Sequence, residues 1–180
     1  RAGSDLPEGL GRHPHADVAV DANGALLAVL YNTVTFEASG VYRSTDDGTT
    51  WSEVFADGGS SFPDPYDFYF ERTVIGLSAS NPDVAYLLTY LGQKKAVTGG
   101  EVDDMRLFKL TISSGTYEDR TDGIPVYLDG TGAVNVGGYD SQGNYNMTIA
   151  VHPTDENHVF IGGTNLFRSR DGFATAPAAA

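Results

Sequence analysis

The chain has 180 residues, of which 41% are hydrophobic, and this length and composition suffice for a buried core. Its 24 acidic side chains against 11 Lys and Arg give a net charge of −13, which opposes binding to nucleic acid and to anionic membranes. No apolar run is long enough to span a membrane, and the absence of cysteine excludes disulfides and thiolate metal sites. Helical periodicity is almost absent, so the short alternating runs bounded by Gly, Asn, Asp and Pro predict an all-β fold.

The predicted strands recur along the chain in three units of about four strands each. The first unit covers about 16–57 and reads DVAV, LLAVLYN, GVYRSTD and TWSEVFA. The second covers about 73–121, and the third about 146–175, where no segment is left to supply a fourth strand. A repeat of about 60 residues with four strands predicts β-propeller blades, the third incomplete, after an N-terminal loop over 1–15.

The three units can be aligned on their third strands. Each third strand carries an aromatic residue followed directly by a basic one, namely Tyr42 and Arg43, Phe108 and Lys109, and Phe167 and Arg168. We therefore predict that these pairs occupy equivalent positions in the three blades.

Two acids beside a glycine follow the first of these pairs. Ser44, Asp46, Gly48 and Trp51 stand at fixed offsets, which suits a metal loop, half of a catalytic pair or a tight turn. A metal loop needs several more oxygen ligands than Asp46 and Asp47 offer. Asp46 can instead fold its carboxylate over the following backbone N–H groups, and Gly48 supplies a positive φ angle. We predict a structural turn, with the Trp51 ring buried between neighbouring blades.

With Thr50, this stretch resembles the Asp-box, S-x-D-x-G-x-T-W, of the BNR-repeat propellers, which include sialidases, family 74 xyloglucanases and sortilin-type receptors. The resemblance implies a turn between the third and fourth strands of a blade and identifies no reaction. The third unit carries a related set with one residue fewer between Asp and Gly, and the second unit lacks the Asp. Those sets are Ser169, Asp171, Gly172 and Phe173, and Thr111, Ser113, Gly115 and Tyr117. The phrases DSQGNYNMTIAVHP and VFIGGTNLFRSRDGF are also similar to secreted Bacteroidota propellers.

Ligands are expected on the face formed by the second-to-third and blade-to-blade connections. These connections are predicted to be long, whereas the other connections are short turns, and binding residues collect in long loops. The resembled families also bind ligands on that face. The predicted long loops are 32–40, 57–72, 91–104 and 121–146.

Aromatic residues mixed with acids in two of these loops are the candidates for ligand binding. Such a mixture suits stacking on sugar rings and hydrogen bonding to hydroxyls, although the same aromatics would also fill gaps between blades. The candidates are Tyr66, Asp67 and Tyr69 in one loop and Tyr139 and Tyr145 in the other.

No spacing in the sequence supports catalysis. A glycosidase needs two carboxylates that flank one bond, and nothing selects a pair among the acids of the long loops, which are Asp64, Asp67, Asp103, Asp104 and Asp140. The Arg-Ile-Pro motif of sialidases is absent. His13 and His15 lie close together but are separated by Pro14 in a terminal loop, so we expect neither a metal nor a cofactor.

These features predict a non-catalytic binding or scaffold module of an exported or cell-surface bacterial protein, with a glycan or protein ligand. The alternative is a fragment of a BNR-type glycoside hydrolase acting on a polysaccharide or glycan. A sortilin-like receptor is a third interpretation, which the lack of cysteine weakens. Because three units cannot close a ring, further blades are expected in the same or another chain, whereas nucleic acid and membrane insertion are not.

Overall fold

The computed structural model describes residues 16–30, 40–56, 72–97, 100–125 and 138–176. In these residues the chain forms eleven β-strands and one short 3₁₀ turn at Thr121–Gly123. The strands make three antiparallel sheets in which each strand pairs with its neighbour in sequence. The predicted all-β fold with three blade-like sheets is confirmed.

The strands follow one another as simple meanders. Sheet one consists of β1 (Ala16–Val20), β2 (Leu26–Leu30), β3 (Gly40–Ser44) and β4 (Ser52–Ala56). Sheet two consists of β5 (Arg72–Leu77), β6 (Val84–Val97), β7 (Gly100–Thr111) and β8 (Thr116–Asp119). Sheet three has three strands in the described part of the chain: β9 (Thr148–His152), β10 (Asp155–Gly162) and β11 (Leu166–Ser169).

Sheet two is buried on both faces. Successive side chains of a strand point to opposite faces, so Ala85 and Leu87 of β6 join a core shared with sheet one. Tyr86 and Leu88 on the same strand join a second core shared with sheet three. The near-continuous apolar run VAYLL therefore reflects a strand covered on both sides.

The first strands of the three sheets lie side by side, β1 next to β5 and β5 next to β9. The Asp17 carboxylate on β1 accepts a hydrogen bond of 2.9 Å from the backbone N–H of Ile75 on β5. A Cβ at Gly76 would lie 3.1 Å from the Ile149 side chain on β9, so the glycine permits this close approach. The sheets therefore stack with their first strands adjacent, as the blades of a propeller do.

The third strands carry the predicted aromatic and basic pairs. Tyr42 and Arg43 lie on β3, Phe108 and Lys109 on β7, and Phe167 and Arg168 on β11. Phe108 packs in the core between sheets one and two, whereas Lys109 faces the other way and reaches Glu156 of sheet three at 2.9 Å. The basic residue of sheet two thus links it to the next sheet.

The prediction of a long loop over 91–104 is wrong. Strands β6 and β7 remain paired as far as Val97 and Gly100, with an irregularity between Tyr90 and Lys94. The segment GQKK lacks apolar alternation because its side chains are exposed beyond the edge of the core. A strand whose side chains are exposed on both faces therefore resembles a loop in sequence.

Candidate functional site

Connections between strands lie at two opposite edges of the sheets. The hairpin edge comprises the first-to-second and third-to-fourth connections, residues 21–25, 45–51, 78–83, 112–115, 153–154 and 170–175. The loop edge comprises the other connections, and in the described residues it includes the far end of the β6–β7 hairpin, 138–147 and 163–165. Tyr139 and Tyr145 therefore lie at the edge opposite to the turns 45–51 and 170–175.

In the sheet-one turn, Ser44 and Asp46 organise the backbone. The Ser44 hydroxyl donates to Asp46 Oδ1 at 2.8 Å and accepts from the Gly48 N–H at 2.9 Å. The Asp46 carboxylate also accepts from the Thr50 N–H at 2.8 Å and from the Thr50 hydroxyl at 2.7 Å. These bonds from Thr50 and Ser44 lower the pKa of Asp46 to about 2. The carboxylate is engaged within its own turn.

Trp51 lies against its own turn. Its indole N–H donates to the carbonyl of Gly48 at 3.1 Å, and the ring lies against Gly48. The ring is half-buried and packs back on its own turn, because this hydrogen bond holds it there. Packing of the ring against a neighbouring blade stays a prediction.

The sheet-three turn repeats this geometry at the same offsets. The Ser169 hydroxyl donates to Asp171 Oδ1 and accepts from the Phe173 N–H at 2.8 Å, and the Thr175 hydroxyl donates to Asp171 Oδ2. No residue is missing from this turn, contrary to the sequence alignment. Phe173 occupies the position of Gly48, and Gly172 occupies the position of Asp47.

Phe173 holds a backbone conformation that usually requires glycine. Its φ angle is 59°, close to the 65° of Gly172. Its side chain is buried in the core between sheets two and three. The residue packs closely on Gly123, since a Cβ added to Gly123 would lie 2.1 Å from the Phe173 carbonyl oxygen. Burial of the ring thus offsets the strain of the left-handed conformation.

The sheet-two turn is of another type. Thr111 pairs directly with Thr116, which leaves a four-residue connection, whereas eight residues separate the pair Arg43 and Ser52 in sheet one. The missing carboxylate comes from Asp83 in the β5–β6 turn. It accepts hydrogen bonds from the N–H and the hydroxyl of Ser113, at 2.6 and 2.7 Å.

A groove of about 460 Å³ lies at the hairpin edge between sheets one and two. Arg43, Glu53 and Asp83 contribute charges to it, and Ser113 and Gly115 form part of its floor. An added Cβ at Gly115 would lie 2.4 Å from the Val54 carbonyl oxygen, so the two sheets touch here. The groove is shaped by this contact between blades.

At the loop edge, Asp103 on β7 is a buried carboxylate with three donors. It accepts from the ammonium of Lys94, from the hydroxyl of Ser141 and, at 2.9 Å, from the Gly143 N–H. Burial alone would raise the pKa of Asp103, but these hydrogen bonds outweigh burial and lower the pKa. The bond from Lys94 in turn raises the pKa of that amine. The carboxylate is held ionised inside the protein.

Asp104 faces away from Asp103, since adjacent residues of a strand point to opposite faces. Its Oδ1 lies 3.1 Å from Arg106 Nη1, and its Oδ2 accepts from the Gln93 amide at 3.0 Å. Both aspartates are buried. They do not flank a common space, so the structure does not assemble these two candidates into a catalytic pair.

The segment 138–147 crosses the loop edge and is bonded to both neighbouring sheets. Arg72 at the start of β5 donates to the carbonyls of Asn144 and, at 3.0 Å, Tyr145. From sheet three, the Thr164 N–H donates to the Asp140 carbonyl at 2.9 Å. A Cβ at Gly163 would lie 2.2 Å from that same carbonyl oxygen. The segment is thus fixed in place rather than only tethered at its ends.

The ligand candidates fall into three groups. Tyr145 presents a ring that is 78% exposed. Tyr139 is only 6% exposed and packs against Phe167, and its hydroxyl donates to the Gly162 carbonyl at 3.3 Å. It was expected to contact a ligand, but in the structure it belongs to the core. The remaining candidates, Tyr66, Asp67 and Tyr69, lie outside the described residues, as do Asp64, His13 and His15.

Several residues that organise these sites were not found from the sequence. Arg72, Lys94, Ser141 and Asp83 act on partners that lie between 9 and 73 positions away. Pairings of this kind leave no local spacing pattern. An arginine at the start of a strand, as at position 72, is the one signal available.

Two classes of feature are absent from the described part of the chain. It contains no group of three or more His, Asp or Glu side chains arranged to hold a metal ion. Among its described residues, no helix is long and apolar enough to cross a membrane.

No family model matches the chain, and no curated protein matches it. Solved structures similar to it include a GH74 enzyme from Niastella koreensis, 20% identical with a TM-score of 0.45, covering 84% of this chain and 19% of that one. Another is the GH74 xyloglucanase from Xanthomonas campestris, 19% identical with a TM-score of 0.44, covering 87% and 20%. The chain spans about a fifth of the length of these proteins.

Proposed function

We propose that the chain is part of a non-catalytic binding or scaffold module whose ligand face is the loop edge. The observation that carries this proposal is the exposed ring of Tyr145 on a segment bonded to two sheets. An aromatic ring held on a rigid support contributes contact area at a low entropic cost. The neighbouring acids support binding over catalysis, because Asp103 and Asp104 are buried and engaged with cations.

The sheets are, in this proposal, blades of an Asp-box propeller. The equal offsets of hydroxyl and carboxylate in the turns at Ser44 and Ser169 support that assignment. Further blades, in the same or another chain, would cover Val18 and Val20, which are 60% and 62% exposed. The corresponding residues of β5 and β9 face the preceding sheet. A concentration-dependent mass of residues 1–180 in sedimentation would support this part, and a stable monomer would contradict it.

A glycan is the ligand class that we test first. Xyloglucan is the probe, since one similar structure is described as a xyloglucanase. Replacing Tyr145 with Ala should weaken binding by about 1–3 kcal/mol if the ring is a central contact. Val20→Ala is the matched control, because Val20 is also exposed but borders the hairpin edge at residues 21–25. Affinity electrophoresis of both variants measures the effect, and equal losses in the two would contradict a site at Tyr145.

The same preparation distinguishes the alternative, a fragment of a glycoside hydrolase. Release of reducing ends from xyloglucan by the unmodified protein would favour the hydrolase and overturn the binding-only proposal. We also propose export to the cell surface or medium, in keeping with the acidic composition and the absence of cysteine. Immunodetection in fractionated cultures of the source organism tests this, and a signal confined to the cytoplasm would contradict it.

A further inference from the structure

The turn that carries Tyr145 has an uncommon backbone. Gln142, Gly143 and Asn144 are successive residues with φ angles of 53°, 63° and 74°. Left-handed conformations cost free energy in residues other than glycine, and they persist where the surroundings impose them. A run of three therefore indicates that something outside the turn determines its shape.

Two charged groups of sheet two, the buried Asp103 and the half-buried Arg72, supply that constraint. The carboxylate of Asp103 binds the Gly143 N–H and the Ser141 hydroxyl, and the hydroxyl oxygen in turn accepts from the Asn144 N–H at 3.2 Å. The guanidinium of Arg72 binds the carbonyls of Asn144 and Tyr145. An anion thus meets the N–H side of the turn, and a cation meets its carbonyl side.

We propose that Asp103 and Arg72 are positioning residues that hold the 141–145 turn so that the Tyr145 ring is presented to a neutral sugar. This proposal rests on the proposed function. The same turn carries the amides of Gln142, Asn144 and Asn146, a side-chain type that donates to and accepts from hydroxyls. The charges of Asp103 and Lys94 are paired with each other. Stacking and amide contacts suit an uncharged pyranose, and the preformed turn lowers the entropic cost of binding it.

Hydrogen exchange tests the positioning role without any ligand. Asp103→Asn keeps the shape of the side chain and removes its charge. It should speed amide exchange at Gly143, Asn144 and Asn146 by about tenfold or more, and leave Leu87 and Leu107 in the core of sheet two protected. Asp104→Asn is the matched control, since that neighbouring buried carboxylate points away from the turn. Unchanged exchange in the turn of the Asp103 variant would overturn the proposal.

Ser141→Ala provides a second variant if Asp103→Asn does not fold. It removes only the hydroxyl that links Asp103 to the Asn144 N–H. Exchange should then rise at Asn144 and less at Gly143, which keeps its own bond to the carboxylate. Equal protection at both amides in this variant would also overturn the proposal.

A double-mutant cycle tests whether the turn acts through Tyr145. With xyloglucan oligosaccharides as the probe, Asp103→Asn should weaken binding about tenfold in the wild type and have no further effect in a Tyr145→Ala background. Additive losses would show that Asp103 acts elsewhere and would overturn the proposal. If Tyr145→Ala binds as the wild type does, or the wild type does not bind, the proposed function fails for this glycan. Hydrogen exchange alone then decides the positioning role.

Discussion

At the scale of single residues, the turns at Ser44 and Ser169 show which positions define this structure. In both, a hydroxyl, a carboxylate two residues later and a threonine four residues after that make the same bonds. The role of Asp46 was predictable because a glycine follows at the expected offset. Phe173 was not predictable as the counterpart of Gly48, because the motif has a glycine at this position. In Phe173, burial of the aromatic ring compensates for the strain of the left-handed backbone conformation.

The Asp46 carboxylate should make stability depend on pH. Its pKa is lowered from 3.8 to about 2, so its contribution to the free energy of unfolding is present above pH 3.8 and is lost as the pH falls towards 2. Asp46→Asn should therefore be less stable than the wild type at pH 6, with the difference shrinking by pH 2.5. Urea unfolding at the two pH values measures this. Asp47→Asn, at the exposed neighbouring acid, is the control, and an equal pH response in both variants would contradict the assignment.

Phe173→Gly sets backbone strain against burial. The substitution relieves a left-handed conformation worth about 1 kcal/mol but removes a buried ring worth about 3–5 kcal/mol. Loss of the ring should therefore prevail, and the variant should be less stable by about 2–4 kcal/mol in denaturant unfolding. A more stable variant would show that strain, rather than packing in the core, governs this position.

At the scale of elements, the third-to-fourth hairpin of sheet two is closed differently from those of sheets one and three. The sheet-two turn borrows the carboxylate of Asp83 from a neighbouring hairpin, 30 positions away in sequence. Local sequence indicates only that this turn has no acid of its own. The β6–β7 hairpin was mistaken for a loop for a related reason, since its outer half is supported by strand pairing and by the bond between Lys94 and Asp103 rather than by an apolar face.

Asp83→Ala should loosen two hairpins at once. It removes the bonds to the Ser113 N–H and hydroxyl, and the half-exposed site limits the expected loss to about 1 kcal/mol of unfolding free energy. Ser114→Ala is the matched control, because the Ser114 hydroxyl bonds only near its own turn. Thermal unfolding of both variants measures the difference. A Ser114 variant as unstable as the Asp83 variant would contradict the link between hairpins.

At the scale of the whole molecule, the repeat could be predicted from the sequence because each unit must present one face to each neighbour. The apolar runs of β5 and β6 predict strands, and their position in the middle unit explains why both faces are apolar. The hydrogen bonds that link sheets two and three could not be predicted from the sequence. Lys109 donates to Glu156 and to Asn157, each at 2.9 Å, and the Asn81 amide donates to Glu156, across separations that no local pattern reveals.

Burial of sheet two between two neighbours predicts that adjacent residues of β6 stabilise different interfaces. Leu87 packs towards sheet one and Leu88 towards sheet three, and both are fully buried. Each Leu→Ala substitution should lower the free energy of unfolding by about 2–5 kcal/mol, whereas Val20→Ala on the exposed face of β1 should cost well under half of that. Hydrogen exchange should then show the two variants loosening different sheets, with Leu87→Ala affecting β2 and β3 and Leu88→Ala affecting β9 and β10. If either leucine tolerates truncation as Val20 does, one face of sheet two is open, and the stacked arrangement of the three sheets is wrong.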